Sequence, residues 1–197
     1  RAGVALMVAF PVRFSPSFVA LRKSVREGRL GDILSIVGTN NGKLPLDRPW
    51  FTDPELAGGG SIVDHVVHCA DLIDALLDAK ATSVFAVANG ILHSEAHTKV
   101  ETGGLATIRY EGGIVATIDC SWSQPDSAPN WGGLTLEVVG TRGSVRIAPF
   151  AAHVDGFGGD GALWLPYGAD SDAAMIDEFL SAVIDGRQPQ PDGGVGI

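Results

Sequence analysis

The segment Gly58-Gly59-Gly60-Ser61-Ile62-Val63-Asp64-His65-Val66-Val67-His68-Cys69-Ala70-Asp71 holds the residue types and spacing best suited to chemistry. On a helix turning about 100° per residue, with Asp64 at zero, His68 falls near 40° and Asp71 near −20°, so the three form one polar stripe. Ile62, Val66, Cys69, Ala70, Ile73, Leu76 and Leu77 cover the opposite side, and His65 stands at the flank of the stripe. A histidine titrates near neutral pH, and an aspartate one turn away can orient it and stabilise its protonated form. That is the equipment of a general acid–base. The same spacing also describes any amphipathic helix with a solvated polar face. The three glycines ahead of it would let another backbone or a ligand approach closely.

Other residues compete for a role. Asp64, His65 and His68, with His93 and His97 elsewhere, leave open a metal-binding hydrolase. Zinc needs three or four convergent ligands, and His65 and His68 at i, i+3 supply only two, so the reading adopted assigns no metal. Gly156-x-Gly158-x-x-Gly161 formally matches a dinucleotide fingerprint, but Leu163-Trp164-Leu165-Pro166 follows where a helix must start. A flexible surface loop is expected there. Lys43 and Trp50 lead into the triple glycine and are placed in the substrate-binding wall, together with His65. Trp122 and Trp131 bracket a Pro/Ser loop expected to border the same cleft. Cys69 faces the apolar side of its helix and is expected to be inert. Arg13 is expected to pair with a carboxylate between domains, which the sequence does not name.

The surrounding elements must hold that segment in place. Val4 to Phe10 has the outline of a signal peptide, yet it is short and ends at Pro11, so a buried strand is expected. Ser15-Pro16 reads as a helix cap with proline at the first helical position, and Gly28 ends that helix. Ile33 to Val37 reads as a strand, Lys43 to Gly60 as a long ordered loop, and Ser61 to Asp78 as the helix carrying the stripe. From Val84 the period changes to two, giving strands at 84–91, 105–110, 114–122, 134–139 and 144–147. Short turns such as Glu111-Gly112-Gly113 make consecutive strands antiparallel. Residues 149–170 read as irregular. Ser171 is expected to cap a last helix whose stripe is Met175, Ile176, Phe179, Leu180, Val183 and Ile184. The fold class is therefore α+β: an open, mostly antiparallel sheet with helices on one face.

Composition bounds the function. The 197 residues are 45% hydrophobic and 19% charged, which excludes disorder for most of the chain. Fourteen basic against 23 acidic residues give a net charge of −9, the opposite of a nucleic-acid footprint. No apolar run reaches the roughly 20 residues of a membrane helix. Two cysteines make no disulfide framework, and a reduced cytoplasmic setting is the default. Without an initiator Met, the chain reads as a piece of something longer.

The ordered set Gly58-Gly59-Gly60, Asp64, His68 and Asp71 resembles the signature of the C-terminal domain of the Gfo/Idh/MocA oxidoreductases. Phe10 to Pro16 resembles the start of that domain, and Arg26-Glu27-Gly28-Arg29-Leu30-Gly31 its helix-to-strand step. Trp50 ahead of the glycines and Val139-Gly140-Thr141-Arg142-Gly143 as a late hairpin agree in order, so nearly the whole chain is covered. The resemblance implies a substrate-binding and oligomerisation domain spanning 1–197, working with an N-terminal Rossmann domain that binds NAD or NADP. It implies His68 as the acid/base on a hydroxyl of a sugar, cyclitol or polyol, and Asp64 as the residue that orients substrate or histidine. It further implies a homo-oligomer formed through the open sheet face. A non-catalytic sugar- or cofactor-sensing role remains the alternative. The chain departs from the family pattern in lacking a Glu-Lys-Pro motif and an opening strand–glycine turn–helix unit, and in carrying His65 where a smaller residue is frequent. The nucleotide domain is therefore expected upstream of Arg1, and this chain alone is expected to bind NAD(P) poorly and not to turn over.

Overall fold

Alternation of apolar and polar residues over five runs lays down a sheet with one buried face, and that face decides where the helices go. A computed structural model of the chain describes residues 4–94 and 98–196. Its elements are α1 (Pro16–Arg26), β1 (Ile33–Lys43), α2 (Pro54–Ala57), α3 (Ser61–Leu77), β2 (Ala81–Asn89), β3 (Gly103–Tyr110), β4 (Val115–Gln124), β5 (Gly132–Gly140), β6 (Gly143–Ile147), β7 (His153–Gly158), β8 (Gly161–Pro166) and α4 (Ser171–Ile184). Six strands form one sheet in the order β2-β3-β4-β1-β5-β6. All neighbours are antiparallel except β1 and β4, so the expected class is the one observed.

Helices α1 and α3 bury their apolar sides on one sheet face. Phe18 and Leu21 of α1 and Cys69, Leu72, Ile73 and Leu76 of α3 meet Ile36, Ile108, Ala116, Ile118, Leu134, Leu136 and Val138. At about 25 cal/mol per Å² this burial is the main force holding α3 in place. The opposite sheet face is uncovered, with Val37, Phe85, Val87 and Leu105 exposed. Strand β2 is exposed along its whole length. The Ser15 hydroxyl accepts from the Phe18 amide and caps α1 as the sequence predicts.

Four expectations fail locally. Val4 to Phe10 is not a strand: only Met7 forms a single bridge, to Asp192, and Val4 and Leu6 stay exposed. The loop at Lys43 to Gly60 contains a 3-10 turn at Pro49–Thr52 and the short α2. Residues 153–166 form a hairpin, β7 against β8, turning at Gly159-Asp160. The cap of α4 is Asp170 rather than Ser171, its Oδ1 accepting from the Asp172 and Ala173 amides. Most of the α4 stripe, including Ile176, Leu180, Val183 and Ile184, is exposed, because α4 packs on the 3-10 turn at Pro11–Phe14 and not on the sheet.

Candidate active site

The sequence wheel puts His65 at the edge of the α3 polar stripe; the structure puts it in the middle of the buried side. His65, Cys69, Leu72 and Leu76 run down the line that faces the sheet, while apolar Val63 and Val67 stay exposed. Two strand positions make room. A Cβ on Gly42 of β1 would lie 2.7 Å from His65 Cε1, so only glycine leaves space for that ring. Asn40, two residues earlier, donates its amide to the His65 carbonyl at 3.1 Å.

Within the triple glycine, Gly60 makes room for a neighbouring backbone. A Cβ on Gly60 would collide with the Glu101 carbonyl, and the Glu101 carboxylate takes the Gly60 and Ile62 amides at 2.8 and 3.1 Å. The N-terminus of α3 is thus satisfied from within the chain.

Asp64 Oδ2 accepts from the indole of fully buried Trp122 at 2.9 Å. Trp122 is in turn fixed by Leu44, Val100 and Phe51, and its carbonyl accepts from His93 Nε2 at 2.6 Å. His65 Nε2 lies 3.4 Å from the same Asp64 oxygen but is buried with no hydrogen-bond partner. The His68 Nδ1 is likewise buried and unpartnered, and its ring meets the edge of Phe10 at 5.8 Å. Burial lowers the pKa of both imidazoles, and the nearby Asp64 charge offsets this only in part. Burial thus favours the neutral form of both rings.

These groups share a cavity of about 600 Å³. Asp64, His65 and His68 from α3 and Asn40 from β1 line one side, Asn130 and Trp131 another, and Phe150, Trp164, Tyr167, Asp170 and Asp172 the far wall. Asp71 is not part of it. It is buried against Arg13, whose Nε lies 2.8 Å from both carboxylate oxygens, so the polar stripe read from spacing divides into a site and a clamp. Arg13 thus pairs within this domain and not between domains as expected, because α3 brings Asp71 beside the 3-10 turn at Pro11–Phe14. Burial pushes the Asp71 carboxyl up, and the guanidinium only partly counters this.

Lys43 and Trp50 are not brought to the cavity. The Lys43 ammonium donates to the Asp126 and Ala128 carbonyls at 2.9 and 2.7 Å, pinning the loop before Trp131. Trp50 stacks on Phe51, with ring centroids 4.1 Å apart, and is half-exposed. Trp131 does border the cleft as expected, whereas Trp122 works from behind it. Among the described residues no three His, Cys, Asp or Glu side chains gather as a metal site, and His97 lies outside the described residues. The Gly156–Gly161 pattern sits in the β7–β8 hairpin, followed by a strand, so it lacks the helix N-terminus that holds a pyrophosphate. Cys69 is fully buried and its thiol is pushed up to about 12 by burial, which leaves it inert.

Sequence reasoning missed the far wall. Two short runs around Gly159-Asp160 carry a two-residue hairpin signal that would have revealed it. Nothing local in the sequence marks Trp122 as the partner of Asp64, since 58 residues separate them.

Residues 18–146 match the GFO/IDH/MocA C-terminal domain family. The chain is 32% identical to trans-1,2-dihydrobenzene-1,2-diol dehydrogenase of Mus musculus, covering 74% of this chain and 40% of that protein. It is 26% identical to inositol 2-dehydrogenase of Rhizobium meliloti (strain 1021), covering 98% of this chain and 58% of that protein. The solved structure of GenD2 from gentamicin A biosynthesis, in complex with NAD, superposes with a TM-score of 0.83 at 24% identity, over 98% of this chain and 58% of that one. The chain thus spans well under two thirds of the relatives it matches.

Proposed function

This chain belongs to the GFO/IDH/MocA C-terminal domain family, and from that premise we propose that it is the substrate-binding domain of an NAD(P)-dependent oxidoreductase acting on a secondary hydroxyl of a sugar, cyclitol or polyol. The observation that carries the reading is a pair of neutral, unpartnered imidazoles beside an anchored carboxylate on the floor of a 600 Å³ cavity. A substrate hydroxyl placed there meets His68 as proton acceptor, and Asp64, held by Trp122, stabilises the imidazolium that results. His65 provides a second nitrogen to fix the hydroxyl or relay the proton, and Phe150, Trp131 and Trp164 keep bulk water off the exchange.

Nicotinamide, when bound, supplies the hydride exchange. The residues described fit the proton half of that reaction, and the nucleotide-binding half is assigned to a separate Rossmann domain. The exposed apolar stripe of α4 and the exposed Val63 and Val67 of α3 support such a neighbour. Homo-oligomer formation through the open sheet face is supported by exposed Val37, Phe85, Val87 and Leu105. A cytoplasmic location is part of the same reading; no described helix is long and apolar enough to cross a membrane.

The test is His68→Ala in the full-length protein. Loss of the general base is expected to lower kcat about a hundredfold or more with KM little changed. Turnover close to wild type removes His68 from the reaction.

A further inference from the structure

Strand order lets one residue act on the cavity without reaching it. In the sheet β1 lies between β4 and β5, so the chain leaving β4 at Gln124 must cross the end of β1 to enter β5 at Gly132. Lys43 is the last residue of β1 and stands at that crossing, paired with Gln124 on one side, while its neighbour Gly42 pairs with Gly132 on the other. The crossing, residues 125–131, reads Pro-Asp-Ser-Ala-Pro-Asn-Trp. Two prolines remove amide donors, which limits what this segment can bond internally. Its own backbone closes a turn, with the Ala128 amide donating to the Pro125 carbonyl at 2.9 Å.

Lys43 holds the crossing at three further points. Its amide donates to the Trp131 carbonyl at 2.9 Å, and its ammonium donates to the Asp126 and Ala128 carbonyls at 2.9 and 2.7 Å. Hydrogen bonds from a charged donor are roughly twice as strong as neutral ones. The far end of the segment is where the cavity begins. Asn130 and Trp131 line it, and Trp131 is 45% exposed, so that ring is not taken up by core packing. The Arg48 guanidinium lies 5.9 Å from the centre of the Trp131 ring. A Cβ on Gly42 would meet the Trp131 indole nitrogen at 3.2 Å as well as the His65 ring at 2.7 Å, so indole and imidazole flank the same strand position.

Resting on the reading of this cavity as a polyol site, we propose that Lys43 is a positioning residue: its ammonium fixes the 125–131 crossing so that Trp131 stands as a preformed wall for a ring-shaped polyol. Lys43 touches no substrate. It sets affinity by sparing the complex the ordering of a loop at the moment of binding, and leaves the proton transfer at His68 to other groups. The charge that the sequence suggested for direct contact thus works at one remove, through two backbone carbonyls.

The experiment compares Lys43→Met and Lys43→Arg with wild type in the full-length protein, using myo-inositol and glucose as probes. In Lys43→Met the Ala128 amide is expected to exchange with deuterium about tenfold faster or more, the size of a lost charged hydrogen bond, while the amides of β4 and β5 hold. Kd for the tighter probe, from ligand-observed NMR titration, is expected to rise about fivefold or more. Where a probe is oxidised, KM should rise in step and kcat stay within about twofold. Lys43→Arg, which keeps a charged donor, is expected to recover most of each loss. Trp131→Ala should weaken binding by a similar factor, which tests the wall even where Lys43→Met folds poorly, and adding Lys43→Met to it should change Kd by less than about twofold. Unaltered exchange or Kd in Lys43→Met, additive losses in the double variant, a fall in kcat with KM held, or binding of neither probe by wild type overturns the proposal. Oxidation of a probe whose binding ignores Lys43 sinks the clamp and leaves the oxidoreductase reading standing. Lys43-dependent binding with oxidation of neither probe does the reverse.

Discussion

Two regions of α3, less than two turns apart, treat buried polar groups in opposite ways. Near its C-terminal half, Asp71 is closed off and bidentate with Arg13, and nothing more is asked of it. Near its start, His65 is buried and His68 half-buried, and each keeps a shielded nitrogen without a hydrogen-bond partner. The first arrangement is what a fold needs, because a buried charge must be paired. The second is a cost to the fold, borne by two histidines that line the cavity. Satisfaction separates the structural residue from the chemical one where spacing on the helix could not.

The largest way to break that comparison is Arg13→Ala. It leaves the Asp71 carboxylate buried and unpaired, and the expected loss is about 3–5 kcal/mol of stability, read from urea unfolding. Because Arg13 also fixes the 3-10 turn whose Pro11 and Val12 line the cavity, binding should weaken as well. A loss below about 1 kcal/mol would show that the clamp is ornamental. His68→Ala should behave in the opposite sense, costing under about 2 kcal/mol while removing turnover.

A middle-sized effect tests the support behind the site. Trp122→Phe keeps an aromatic ring in the core but removes the indole donor to Asp64, so about 1–3 kcal/mol of stability should go, with a drop in kcat. An unchanged kcat would mean that Asp64 needs no anchoring.

The smallest effect is a pH dependence. Both imidazoles have their pKa lowered in the folded state, so on acidification the unfolded chain takes up protons first. Stability should be flat above the unfolded histidine pKa of about 6.5 and should fall below it, by at most about 1.4 kcal/mol per pH unit for each histidine. His68→Gln should lessen that slope. A slope identical in the variant would place the proton uptake elsewhere.

Much of the fold was legible because local signals and packing agree. The Ser15-Pro16 cap, the helix at 61–77 and the period-two strands all stand where the pattern puts them. The failures share one cause, which is that a periodic pattern reports apolarity and not what lies opposite. Val4 to Phe10 and the α4 stripe are apolar, yet Val4, Leu6, Ile176, Leu180, Val183 and Ile184 stay exposed, because neither segment packs on the sheet. The wheel centred the core side of α3 on Ile62, Val66 and Ile73 and left His65 at the flank, whereas the space beside Gly42 draws His65 into the buried side. Asp64 and His68 could be named in advance, but Trp122, Trp164 and Asp172 could not, since each reaches the cavity or its floor through tertiary folding.

Strand β2 carries a consequence for the life of the molecule in a cell. Its nine residues, Ala81 to Asn89, contain no charge and no proline, and among the described residues no strand pairs with its outer edge. Proteins usually blunt such a border with lysine, proline or a bulge, since a bare one templates illegitimate pairing between newly made copies. Here the surplus of nine negative charges keeps siblings apart by mutual repulsion. Raising ionic strength weakens that protection, so association between copies is expected to rise with salt.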